Sequence, residues 1–278
     1  PLSARFIDLE AIATPRADWF TIPVGVPDLE LVAAAERMRF DQVPVISADG
    51  ACVGLIALPA LKQKSALGAA ITVSDCDITA RHIGMTPDLE TLLEAIGTHR
   101  ALIAGSGELE YLVTISDLNK HGLRSHIYPI LAEFEVLMAR WVDAYHDGTD
   151  DWIGLFGSDM QTRIRERWES DRNKSIDISP INFLHLTELI RIVGKTSAMR
   201  TKLDILTASR FDNLTGPIGK VRNAIMHPVR PLIASTAEVL KLLDTLRRVT
   251  LLADRVHAQL FSQAGPGQGT HELRTTPA

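Results

Sequence analysis

The sequence predicts an α+β first half followed by an all-α helical bundle. Three observations carry this reading. A helix–strand–turn–strand–helix order occurs twice before residue 122, apolar residues recur at spacings of three and four from Ile127 onward, and the second half reads as helix throughout. The expected boundaries are a first domain over 1–122, a helical domain over 123–262 and a disordered tail over 263–278.

In the first repeat, Pro27–Phe40 has helical spacing of Leu29, Val32, Ala33 and Met38. A strand follows at Val43–Ile46, then the turn signal Ala48-Asp49-Gly50, a second strand at Ala51–Ala57 and a short helix. The order recurs from Pro87: a helix over Leu89–Ile96, a strand over Ala101–Ala104, a turn at Gly105-Ser106-Gly107, a strand over Tyr111–Ile115 and a helix from Ser116. Each copy is too small to bury its own apolar face, so the two are expected to pack on each other. The stretch 119–129 reads as a short joint to the bundle.

In the second half, Ile127, Leu131, Phe134, Met138, Trp141 and Tyr145 form a bundle-type stripe. Asp147–Asp151 breaks it. Helices are expected over 159–171, 181–193 and 198–207. Ser235-Thr236-Ala237-Glu238 has capping-box spacing and opens a long helix with Val239, Leu242, Leu246, Val249, Ala253, Val256 and Leu260 on one face. The tail is rich in Gly, Pro and Thr and lacks apolar periodicity.

Composition bounds the function. The 278 residues are 46% hydrophobic and 23% charged, as in soluble globular proteins. No apolar run reaches the ~20 residues that span a bilayer, and the start lacks the apolar centre of a signal peptide. A cytoplasmic location is therefore expected, with no membrane partner. Cys52 and Cys76 are far apart, match no metal spacing and read as small buried hydrophobes. No metal is expected. Residues 1–122 hold 9 Lys and Arg against 16 Asp and Glu, while 123–262 hold 19 against 17. The second half tolerates a polyanion better than the first, but its excess is too small to define a nucleic-acid surface.

Phe40-Asp41-Gln42-Val43-Pro44-Val45 with Gly54-Leu55-Ile56, and Leu112-Val113-Thr114-Ile115-Ser116-Asp117-Leu118, resemble the two copies of a tandem CBS-domain pair over roughly residues 10–122. The resemblance implies an adenine nucleotide held in a cleft between copies, with Thr114 on phosphate, Asp117 on the ribose hydroxyls, Ser116 beside them and Arg100 supplying positive charge. A carboxylate suits a diol and a hydroxyl suits a phosphate. Ala57 and Ala60 stand at the corresponding places of the first copy and offer no side-chain hydrogen bond, so at most one good site is expected. Thr114, Ser116 and Asp117 equally suit a helix start, with Ser116 or Thr114 as N-cap.

Arg222-Asn223-Ala224-Ile225-Met226-His227 places a fixed cation, an amide and an imidazole in one segment. Pro228 follows, so the helix is expected to end at His227. This pattern resembles the arginine–polar–histidine motif of HEPN domains, and the resemblance spans about 124–262. It implies a homodimeric, metal-independent endoribonuclease leaving 2′,3′-cyclic phosphates. His227 would be general base, Arg222 would stabilise charge on phosphorus and Asn223 would orient the phosphate or the histidine. Residues five apart diverge by roughly 140° on a helix, so one chain is not expected to assemble this site alone. Structural roles stay open: Arg222 paired with Asp204 or Glu188, Asn223 capping a turn, His227 on a helix dipole. The alternative function is a non-catalytic adaptor that relays nucleotide occupancy to a partner.

Overall fold

The computed structural model describes residues 2–76, 82–106, 109–172, 179–229 and 231–263. Most of the expected tail therefore lies outside the described residues, as does the tip of the turn at Gly107. The chain divides into two compact units, one of residues 1–126 with 231–243, the other of 127–230 with 244–278. The segment 231–243, read from sequence as part of the helical domain, belongs to the first unit.

All strands among the described residues lie in the first unit. In chain order its elements are β1 (Thr14–Pro15), β2 (Ile22–Pro23), α1 (Leu29–Arg37), β3 (Gln42–Ile46), β4 (Cys52–Ala57), α2 (Leu58–Ala66), β5 (His82–Ile83), α3 (Leu89–His99), β6 (Ala101–Ser106) and β7 (Leu109–Thr114). They form two sheets, ordered β2-β3-β4 and β1-β7-β6-β5. The repeat is thus β-α-β-β, with a short parallel strand ahead of each helix: β2 lies on β3 and β5 on β6. Two-residue strands carry too little periodicity to be read from sequence. The hairpins start alike, Gln42 facing Ala57 and Ala101 facing Thr114, but the first has a bulge between Val45 and Ile46 where the second pairs without a break. Pro-Asp-Leu-Glu starts at both 27 and 87. Asp28 and Asp88 cap α1 and α3 with side-chain bonds to Glu30 N and Thr91 N.

The core of the first copy is Ile22, Val32, Val43, Val45, Ile56, Leu61 and Ile71, all buried. Trp19, Leu55, Ala101 and Ile103 form a second cluster that draws on both copies. Residues 101–104 of β6 are all buried, as a central strand requires. Cys52 and Cys76 are free and half-buried, and burial pushes both thiols up, Cys76 to about 11.

The second copy ends differently from the expectation. Instead of a helix from Ser116 there is one 3-10 turn, Asp117–Asn119, and α4 (His121–Tyr145) begins at once. The presumed joint is therefore largely helix. Asn119 ties the returning segment down: its Oδ1 accepts from the Leu232 and Ile233 amides at 2.6 and 3.0 Å, and its Nδ2 donates to the Ile233 carbonyl at 2.8 Å. A Cβ at Gly97 of α3 would sit 2.5 Å from Leu240 Cδ2, so the glycine lets this segment approach closely.

The second unit is helical. It holds most of α4, then α5 (Ser158–Arg172), α6 (Leu186–Lys195), α7 (Ser197–Lys202), α8 (Ala208–Met226) and the greater part of α9 (Thr236–Gln263). The α4 stripe Ile127, Leu131, Phe134, Met138 and Trp141 is buried. Two expected helices shift. Residues 180–183 form a 3-10 turn ahead of α6, where Pro180 stands at the start, and Thr207 is the N-cap of α8. Helix α8 contains Pro217, which lacks the N–H that would bond the Asn213 carbonyl. Arg248 Nη1 donates to that carbonyl at 2.9 Å and so replaces the missing donor.

A double-mutant cycle tests this replacement. Arg248→Ala is expected to cost about 1–2 kcal/mol in urea unfolding, and clearly less in a Pro217→Ala background, where the substituted residue regains an N–H. Equal costs in both backgrounds would show that the guanidinium does not stand in for the lost bond.

Candidate functional site

Thr114, Ser116, Asp117 and Arg100 all line one cleft of the first unit, open to solvent and with a cavity volume of about 230 Å³. It lies between the two copies: β3 and its lead-in supply Phe40, Asp41, Gln42 and Pro44, and the second copy supplies the rest of the expected set. The sequence reading missed Thr14, Trp19, Phe20 and Arg39. A Trp-Phe pair in a chain only 5% aromatic was the available signal.

The aromatic wall is ordered. Phe20 and Phe40 stack with centroids 5.5 Å apart. Trp19 is almost fully buried and donates its indole N–H to the Thr14 carbonyl at 2.8 Å. Arg39 and Arg100 stand just past the ends of α1 and α3 with φ of 58° and 67°. The left-handed region there is normally given to glycine, because a Cβ costs roughly 1–2 kcal/mol. Keeping arginine retains a guanidinium on the cleft. Arg100 lies 3.9 Å from Asp41, an exposed pair of little energetic weight. The Arg39 side chain has no partner among the described residues.

Asp117 is buried, with 4% exposure. Its Oδ2 accepts from the Thr114 amide at 2.7 Å and the Thr114 hydroxyl at 2.8 Å. Its Oδ1 accepts from Lys120 Nζ at 2.7 Å and the Thr14 hydroxyl at 3.3 Å. Lys120 also donates to the Ile12 carbonyl at 2.7 Å. Thr114 and Asp117 thus line the cleft while bonded to each other, and Asp117 is also bonded to Lys120 and Thr14. Ser116 is exposed and makes no cap hydrogen bond, so the N-cap role expected of it is not filled. In the first copy Ala57 precedes α2 with no side-chain cap, and Pro59 sits in its first turn instead.

In the second unit, Arg222 lines an open groove between α4 and α8 with Tyr128, Leu131, Glu135, Val136 and Met226. Its Nε lies 3.9 Å from Glu135 Oε2, so its acidic neighbour is Glu135 and neither Asp204 nor Glu188. Asn223 is exposed on α8. His227 is the C-cap, as Pro228 led us to expect; its N–H bonds the Asn223 carbonyl at 3.1 Å, and its ring lies outside the Arg222 groove. The three motif residues are thus not gathered into one pocket within the chain. The groove is largely apolar, and its one cation faces a carboxylate.

Among the described residues no group of three or more His, Cys, Asp and Glu is placed to hold a metal ion. No helix among them is long and apolar enough to cross a membrane.

No family model and no curated protein matches the chain. Among solved structures it is similar to a CBS domain protein from Streptococcus pneumoniae, at 14% identity over 39% of this chain and 82% of that one. The TM-score is 0.33, too low to carry an argument about fold.

Because Asp117 holds four donors, Asp117→Ala should lower stability by roughly 1–3 kcal/mol without any ligand, chiefly by stranding the Thr114 amide. Denaturant titration reads this directly. An unchanged midpoint would mean that the network is not structural.

Proposed function

We propose that the first unit binds an adenine nucleotide in the cleft between its two copies, as the resemblance to a CBS pair implies, and that the protein is a nucleotide-binding regulator. The observation that carries this reading is the convergence on one cleft of a stacked aromatic pair with two arginines held in left-handed backbone. Aromatic faces accept a planar base, at about 1–3 kcal/mol per stacked base. Guanidinium groups accept phosphate by charge-assisted, often bidentate bonds. Strained backbone is a cost that persists where it serves a site.

The two effects separate by mutation. Arg39→Gly and Arg100→Gly are each expected to leave stability unchanged or raise it by up to about 1 kcal/mol, since glycine relieves the left-handed strain. Each should weaken AMP, ADP or ATP binding about tenfold by calorimetry, through a lost charged hydrogen bond. Full affinity in both variants would end the assignment of phosphate to this pair.

A second reading is metal-independent RNA cleavage by a homodimer using Arg222, Asn223 and His227. It is favoured by the exposure of Asn223 and His227 and by terminal Arg222 nitrogens with no partner among the described residues. It requires the partner copy to bring its histidine to the Arg222 groove and Glu135 to yield to phosphate. Incubating the full chain with mixed RNA in EDTA separates the two. The adaptor reading expects no new ends. Cuts leaving cyclic phosphates that vanish in both Arg222→Ala and His227→Ala would establish the nuclease instead.

A further inference from the structure

A carboxylate offers about four acceptor positions. At Asp117 the chain itself fills all four: Lys120 and Thr14 on Oδ1, and the Thr114 amide and hydroxyl on Oδ2. Three of these bonds are 2.7–2.8 Å, within the short range of charge-assisted pairs. Lys120 also donates to the Ile12 carbonyl, which favours its place beside Asp117. A sugar diol reaching Asp117 would exchange one set of hydrogen bonds for another. It would strand the Thr114 amide or a threonine hydroxyl beside a buried acid, and no net favourable term would remain.

Resting on the nucleotide reading above, we infer that Asp117 does not read the sugar hydroxyls of the ligand. Asp117 is a positioning residue that braces the cleft wall, and Lys120 with Thr14 is what blinds it to the sugar. With Asp117 occupied, base and phosphate are read by the aromatic wall and the two arginines, and Asp18, Asp41, Gln42 and Ser116 are the other polar side chains on the cleft. Ribonucleotides and nucleotides lacking both hydroxyls bind alike. A site built to hydrogen-bond a hydroxyl rejects the analogue without it by several orders of magnitude, so the contrast is large.

The donor easiest to remove is the Thr14 hydroxyl. Its bond is the longest at 3.3 Å, and Thr14 itself lines the cleft. Thr14→Val keeps the shape and opens one Oδ1 position toward the ligand space.

The experiment compares AMP, ADP and ATP with their 2′,3′-dideoxy counterparts by calorimetry on the full chain. For the unmodified protein, affinities within about threefold of each other are expected. A ribonucleotide preference of tenfold or more would overturn the inference while leaving the nucleotide reading in place. Binding of none of the six probes would sink the nucleotide reading and this inference with it. In Thr14→Val, with its melting temperature checked against the parent, a new ribonucleotide preference of roughly tenfold is expected from one added charged hydrogen bond. A folded Thr14→Val that still treats both sugars alike would count against Thr14 as the blinding group.

Discussion

The Asp117 carboxylate is the constraint around which the first unit is organised. A charge so deeply buried is tolerable only when every lone pair is met. The donors come from three places in the chain: Thr14 in β1, the last residue of β7, and Lys120 at the foot of α4. One acid therefore fixes the end of the second hairpin, the lead-in strand and the start of the long helix. Two residues on, Asn119 repeats the device with an amide and secures the returning segment at Leu232 and Ile233. The cleft owes its shape to this polar staple as much as to its apolar walls.

The second unit spends its cations differently. Arg200 donates to the Gly194 carbonyl, Arg255 to Leu203, Lys195 to Leu155 and Arg248 to Asn213. These are backbone carbonyls left open at helix ends or by Pro217, and each long side chain replaces a bond that the helix cannot supply. The slight positive balance of this half is thus partly consumed inside the fold, and counting charges along the chain overstates what reaches solvent.

Much of the layout was legible from pattern. The repeat, both hairpins, the α4 and α9 stripes and the helix end at His227 all follow from period and punctuation. Hidden were features that depend on distant partners. The short parallel strands β2 and β5 exist only because β3 and β6 offer an edge. The helix expected at Ser116 gives way to a 3-10 turn because Asp117 turns back to Thr114. At the candidate sites, sequence named the four second-copy residues that line the cleft. It could not tell that two of them are committed to each other, since Lys120 and Thr14 carry no motif. The proximity of Glu135 to Arg222 was equally invisible, lying 87 positions away in a different helix.

The detour of the chain out of the first unit at residue 126 and back at 231 has a consequence for biosynthesis. A ribosome delivers residues 127–230 of the helical body before the last piece of the body that was begun first, and the rest of the helical body, from 244, only after it. Until about residue 243 emerges, Asn119 has no backbone to grip and Gly97 on α3 has no side chain to receive. The two bodies are interleaved along the chain, each closing only after part of the other has been made, and vectorial folding, in which a leading domain finishes before the next begins, is closed to this polypeptide.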